Sequence, residues 1–93
     1  MRIVWTRFAL ADLDSVYEFI APDNPTAAVA VIDRIEYAVD RLIRYPNMGR
    51  PGRIADTREL VVAGTPFIVV YSVRVRQVEI LGVIHGARRW PDR

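Results

Sequence analysis

The chain carries one histidine, and it opens the segment His85-Gly-Ala-Arg-Arg-Trp-Pro91. Imidazole is the one side-chain type here that exchanges protons near neutral pH, and the guanidiniums of Arg88 and Arg89 are planar bidentate donors suited to phosphate and carboxylate. Two further cations lie upstream: Arg58, which leads Arg58-Glu-Leu60, and Arg74, which follows Phe67-Ile-Val-Val-Tyr-Ser-Val73. Adding Tyr71 and Trp90 gives a candidate set of Arg58, Tyr71, Arg74, His85, Arg88, Arg89 and Trp90. Such a set suits recognition of an anionic or acidic partner. It also contains groups that RNA cleavage through the 2′-hydroxyl would need, namely a proton acceptor, a proton donor and cations beside the phosphorane.

Each residue also has a plainer role open to it. His85 can anchor the Gly86-Ala87 turn by a hydrogen bond. Arg58 either lies on a sheet face clear of helices, where it meets a phosphate or an acidic segment, or pairs with Glu79 across strands. Arg88 and Arg89 can belong to a solvated tail, and Trp5 and Trp90 can cap the two ends of a small core.

The elements that must position these groups are legible in order. Arg2-Ile-Val-Trp5 reads as a short strand. Thr6 can cap a helix whose apolar positions Ala9, Leu13, Val16, Tyr17 and Ile20 recur at helical spacing. Asn24 before Pro25 signals a second helix, running to about Arg44 with a buried stripe of Ala28, Ile32, Ile35, Val39, Leu42 and Ile43 and a stop at Pro46. Residues 45–52 read as a loop. Strands follow at 58–62, 67–73 and 78–84, separated by turns short enough for a meander. The predicted fold is α+β in the order βααβββ, with the helical hairpin packed on one face of a small, mostly antiparallel sheet.

Composition narrows the function classes. Ninety-three residues form one domain, 1–93, and a chain of this size buries roughly 60–65 % of its unfolded surface, too little for a large enclosed pocket. There is no cysteine, hence no disulfide, thiolate nucleophile or Cys-type zinc site, and nothing suggests a metal or organic cofactor. No apolar run approaches the roughly 20 residues that cross a bilayer, and the first residues lack an apolar targeting core, so a cytoplasmic protein is expected. All 13 cationic side chains are arginine. Residues 1–49 hold five arginines and seven carboxylates, net −2, whereas residues 50–93 hold eight and four, net +4. An overall charge of +2 is weak for a phosphate-tracking surface.

Ala11-Asp-Leu13, Asn24-Pro25 with Ala27-Ala28, Tyr45-Pro46 with Gly49-Arg50, Arg58-Glu-Leu60, Tyr71, Val78-Glu-Ile-Leu81 and Ile84-His85-Gly-Ala-Arg-Arg-Trp-Pro91 occur in one order over about 80 positions. In this the chain resembles the RelE/ParE toxin superfamily of type II toxin–antitoxin systems, and its tail resembles the ParE-like branch. The resemblance implies a cognate antitoxin as partner, and growth arrest when the toxin acts without it. It also implies one of two targets: DNA gyrase, poisoned without catalysis by ParE-type members, or ribosome-bound mRNA, cut by RelE-type endonucleases. Nuclease members resemble one another in basic residues, often lysines, after the second helix and a tyrosine near the end. Others carry a terminal-strand histidine with a glutamate in the loop after the second helix. This chain has no lysine, has Trp90 near its end, and has no glutamate between Pro46 and Asp56. The ParE-like reading therefore leads, with no catalytic residue. Under the nuclease alternative the catalytic set would be Arg58, His85 and Arg88.

Overall fold

Both helix starts form as the capping signals predict. The Thr6 hydroxyl accepts the Ala9 N–H at 3.2 Å, opening α1 (Arg7–Ile20). Asn24 Oδ1 accepts the Ala27 N–H at 3.0 Å, opening α2 (Pro25–Asp40) with proline in the first turn. Each cap satisfies a donor that a helix otherwise leaves unpaired. The computed structural model describes residues 1–88, 90 and 91. Around the helices run five strands: β1 (Arg2–Trp5), β2 (Arg50–Pro51), β3 (Arg58–Val61), β4 (Phe67–Val73) and β5 (Gln77–His85).

The sheet order is β1-β5-β4-β3-β2. β1 pairs parallel with β5, placing Ile3 opposite Val78 and Trp5 opposite Ile80, and every other pairing is antiparallel. The architecture is α+β, two helices on a five-strand mixed sheet, with one strand more than the predicted order. That strand, β2, lies inside the expected 45–52 loop; its two residues pair Arg50 with Glu59 and Pro51 with Arg58. A two-residue strand containing proline has no apolar alternation to announce it.

The helices cover one face of the sheet. Ala9, Leu13 and Val16 of α1 and Ile35 and Val39 of α2 pack on Leu60, Val62, Val69, Tyr71, Val78 and Ile80. The second helix ends as an α-helix at Asp40 and continues as a 3₁₀ turn, Arg41–Ile43, rather than as α-helix to Arg44. Leu42 is fully buried while Ile43 is left exposed, so the predicted stripe loses its last member. Tyr17 likewise faces outward. Trp5 packs against this core.

The opposite face has its own smaller cluster of Ile68, Val70 and Ile84, against which Leu81 and Trp90 pack. The two tryptophans thus close different parts of the interior. A register shift between Val70 and Tyr71 makes Leu81 a bulge residue, since Val70 pairs with Gly82 and Tyr71 with Ile80. Beyond the bulge, where β1 has ended, the Val83 N–H is taken by the Asp12 carboxylate of α1 at 3.0 Å. A bulge at the end of β1 is therefore tied back to the helical layer.

Candidate functional site

The candidate residues divide between the two ends of β4. At one end Arg58, the first residue of β3, pairs in register with Tyr71. Paired residues point to the same face, so Arg58 lies on the helix-covered side, beneath the loop after α2, and not on the uncovered face. Its Nη1 donates to Gly49 O at 2.7 Å and Asn47 O at 3.3 Å. Tyr71 holds the same loop: its hydroxyl donates to Pro46 O at 2.8 Å and accepts the Gly49 N–H at 2.8 Å. A Cβ at Gly49 would sit 2.7 Å from that hydroxyl, which is why glycine occupies the position. Tyr71 is fully buried, and burial pushes its phenol above the usual tyrosine range against the opposing pull of the Gly49 hydrogen bond and the Arg58 charge. It offers a partner no surface of its own.

The cross-strand pair between Arg58 and Glu79 does not form. β4 lies between β3 and β5, so these side chains start two strands apart. Glu79 instead accepts from Arg74 Nε at 3.3 Å and Gln77 Nε2 at 2.9 Å. Arg58 and Arg74 come together in a polar cavity of about 350 Å³, with Asn47, Asp56 and Thr57 also in its walls.

At the other end His85 terminates β5. Its Nδ1 accepts the Ala87 N–H at 3.0 Å, and its carbonyl accepts the Arg88 N–H at 2.9 Å. The ring stands edge-on to Phe67, 5.5 Å between centroids. This is the turn-anchoring role that the sequence leaves open for it, with the ring exposed to solvent. Arg88 and Trp90 contribute to a cavity of about 320 Å³ with Ile54, Val70, Ile84 and Asp12. Arg89, which the sequence groups with Arg88, lies outside the described residues.

A residue absent from the candidate set ties the tail to the sheet face without helices. Glu59, 1 % exposed, faces the second cluster, since it pairs with Val70. Its Oε1 accepts from Arg50 Nη2 at 3.1 Å and lies 3.5 Å from Arg53 Nε, while Oε2 accepts the Arg53 N–H at 3.0 Å. Burial pushes the carboxyl up, but the Arg53 backbone and Arg50 side-chain hydrogen bonds, with both positive charges, outweigh it and hold the carboxyl below its ordinary value. Arg53 Nη1 donates in turn to the Trp90 carbonyl at 2.8 Å. A chain of contacts thus runs from a buried carboxylate to the tail. The available signal was alternation: a strand reading Arg-Glu-Leu-Val sends Glu59 to the face opposite Leu60, where a carboxylate must find donors.

The register also measures the separation. Arg58 stands opposite Tyr71 and His85 opposite Phe67. Four residues of strand and two strand spacings set the two backbones about 16 Å apart. No group of three or more His, Asp or Glu placed to hold a metal ion occurs among the described residues.

Comparison with known proteins fits this geometry. Residues 3–90 match the family model described as the ParE toxin of the type II toxin–antitoxin system parDE. The chain belongs to the ParE toxin family. Within the RelE/ParE superfamily it is 51 % identical to the putative toxin Y4kP of Sinorhizobium fredii, covering 98 % of this chain and 94 % of that one. It is 39 % identical to toxin RelE2 of Caulobacter vibrioides, covering 94 % and 97 %. Among solved structures it is similar to the chromosomal ParDE system of P. aeruginosa, with TM-score 0.83, 28 % identity and coverage of 91 % and 95 %. A second is the RelBE2 toxin–antitoxin complex of Mycobacterium tuberculosis, with TM-score 0.63, 27 % identity and coverage of 90 % and 95 %. This ParE-family chain is therefore a type II toxin of the RelE/ParE superfamily. An antitoxin partner agrees with neighbours solved as toxin–antitoxin assemblies. No helix among the described residues is long and apolar enough to cross a membrane.

Proposed function

We propose that this ParE-family toxin acts by binding DNA gyrase and blocking its supercoiling cycle, and that a cognate antitoxin neutralises it. The observation that carries the reading is the division of the candidate residues. Cleavage at a 2′-hydroxyl needs base, acid and cation within a few ångströms of one phosphate. Here Arg58 is about 16 Å of backbone from His85, and Tyr71, the one phenol in the set, is buried with both hydrogen-bonding directions engaged. Arginine at both ends of β4 suits recognition of an acidic partner.

The antitoxin segment would cover the surface carrying Arg58 and Arg74 and continue to His85, Arg88 and Trp90. Tyr71 supports it indirectly by fixing the 46–49 loop. An acidic, amphipathic segment that folds as it binds matches the basic second half of the chain. Alanine at Arg58 and Arg88 is expected to weaken antitoxin binding, more so at low salt.

The deciding experiment is supercoiling by purified gyrase with this chain alone and with its antitoxin, scoring both lost supercoiling and accumulated linear DNA. Inhibition reversed by the antitoxin supports the reading. No effect at large molar excess overturns it and turns attention to ribosome-dependent mRNA cleavage, with Arg58, His85 and Arg88 as the first substitutions.

A further inference from the structure

Past the end of β1 the tail folds back over the sheet face without helices, and the cavity of about 320 Å³ lies beside Trp90. Its walls are largely aliphatic: Ile54 from the 50–57 loop, Val70 from β4, and Leu81 and Ile84 from β5. Ligand pockets run from about 300 to 1,000 Å³, so this one stands at the small end, the scale of one amino-acid residue rather than of a nucleotide cofactor.

The indole Nε1–H of Trp90 is buried and has no acceptor among the described residues. Tryptophan N–H groups in protein interiors ordinarily find a partner, and a buried donor without one is costly. Asp12 of α1 stands in the same wall. Its Oδ2 accepts the Val83 N–H at 3.0 Å, and among the described residues it forms no ion pair. A carboxylate accepts about four hydrogen bonds, so capacity remains. A Cβ at Gly82 would stand 3.2 Å from Oδ2, and glycine beside the bulge therefore keeps that carboxylate open to the cavity.

An unmet donor, an acceptor with capacity to spare and an aliphatic wall define their complement: a branched apolar group that carries a carbonyl oxygen and an N–H. An extended polypeptide residue has all three, since its own N–H and C=O point to the same side of the chain. We propose that the cavity is a socket for one leucine- or isoleucine-like residue of an extended partner segment, whose backbone carbonyl accepts from Trp90 Nε1 and whose backbone N–H donates to Asp12. A nucleobase fits less well, because the walls are aliphatic rather than stacking platforms. The proposal rests on the reading that an antitoxin segment covers this end, and deepens it by naming what that segment inserts. Apolar burial is the chief contribution, so salt weakens the socket less than it weakens the arginine contacts.

The test titrates the isotope-labelled full chain with N-acetyl-leucinamide, which carries the side chain, the carbonyl and the N–H in one small molecule. Saturable shifts are expected at the Trp90 indole N–H and at the Val70, Gly82 and Ile84 amides, with affinity of about 1 mM or weaker, the scale for about a dozen heavy atoms. N-acetyl-aspartamide is expected to bind about tenfold more weakly or worse. Trp90→Phe keeps an aromatic ring and removes the donor, while Asp12→Asn keeps an acceptor for Val83 and removes the charge. Each is expected to melt like the parent and to weaken binding about five- to tenfold. No saturable shift at the Trp90 indole, equal binding of the leucine and aspartate compounds, unchanged affinity in either variant, or tighter binding of adenosine than of N-acetyl-leucinamide would overturn the proposal. Neither gyrase nor antitoxin enters this measurement. The antitoxin reading stands or falls instead on alanine at Arg58 and Arg88, so the two failures are distinguishable.

Discussion

The two faces of the sheet are closed by different physics. The helix-covered face is sealed by Ile35, Val39, Leu42, Val78 and Ile80, all without exposed surface, and its stability follows apolar area and close packing. The opposite face has three buried aliphatic residues, Ile68, Val70 and Ile84, and completes its cover with polar links. Ser72 Oγ donates to Asp56 O at 2.8 Å, Glu59 gathers Arg50 and Arg53, and Arg53 holds the Trp90 carbonyl. The first face is chiefly apolar scaffold, on whose edge Arg58 and Tyr71 hold the 46–49 loop. The second carries the 50–57 loop and the tail that bears Arg88 and Trp90, so perturbing its links should move the partner surface before it unfolds the protein.

Truncation on the helix side should give the largest effect. Ile35→Ala removes a fully buried side chain wedged between α2 and the sheet and is expected to cost about 2–5 kcal/mol. Urea unfolding with an unchanged slope is the check. A loss below about 1 kcal/mol would mean that the helical layer is not the dominant core.

Next in size are changes at the boundary between core and loop. Tyr71→Phe leaves the Gly49 N–H and the Pro46 carbonyl without their shared partner, and an unsatisfied buried group costs about 1–3 kcal/mol. Gly49→Ala drives a methyl into the same hydroxyl, with an expected overpacking cost of about 1–3 kcal/mol. Both should weaken antitoxin binding through displacement of the 46–49 loop, whereas a mutation confined to the helix-side core should lower stability with affinity retained in the folded fraction. Equal affinity losses from Ile35→Ala and Tyr71→Phe would erase the distinction between scaffold and surface.

These examples show which parts of the molecule the amino-acid pattern discloses. Thr6 and Asn24-Pro25 announce helix starts because a cap acts within three residues, and the turn anchored by His85 is equally local. The pairing of β1 with β5 joins residues more than 70 positions apart, and no local periodicity encodes it. Tyr71 reads as a partner-facing group only while its surroundings are unknown; the uninterrupted apolar run from Phe67 to Val70 already signals a strand covered on both faces. Arg58 likewise looks available until the 46–49 loop, whose path depends on the 3₁₀ end of α2, supplies acceptors for it. Glu59 was hardest to see, because its partners come from a loop without secondary-structure pattern.

Acid should separate the faces by sign as well as size. The Glu59 carboxyl titrates lower in the folded protein than in the unfolded chain, so its contribution is present above the unfolded value, about 4.3, and is lost as pH falls through the lower folded value. Parent protein should therefore lose stability on acidification through this window more steeply than Glu59→Gln. Trp90, seated on the affected face, should change its fluorescence at milder acidity than the far-ultraviolet signal of the helices. Coincident transitions would mean that the two faces open as one unit.

The smallest expected effect falls on His85. Exposed, and bound through Nδ1 to the Ala87 N–H, it should tolerate His85→Asn well, since an asparagine side-chain oxygen can accept from the same N–H and surface changes away from special features stay within about 0.5 kcal/mol. Replacement by alanine should loosen the turn and lower antitoxin affinity slightly, through the altered path to Arg88. The pair of variants discriminates a turn anchor from a proton-transfer group. An anchor tolerates asparagine better than alanine, while a base or acid is lost equally in both, because neither replacement exchanges a proton near neutral pH. Equal and large losses of growth arrest in the two variants, with folding and antitoxin binding retained, would move His85 from the support of the tail into the chemistry of a nuclease.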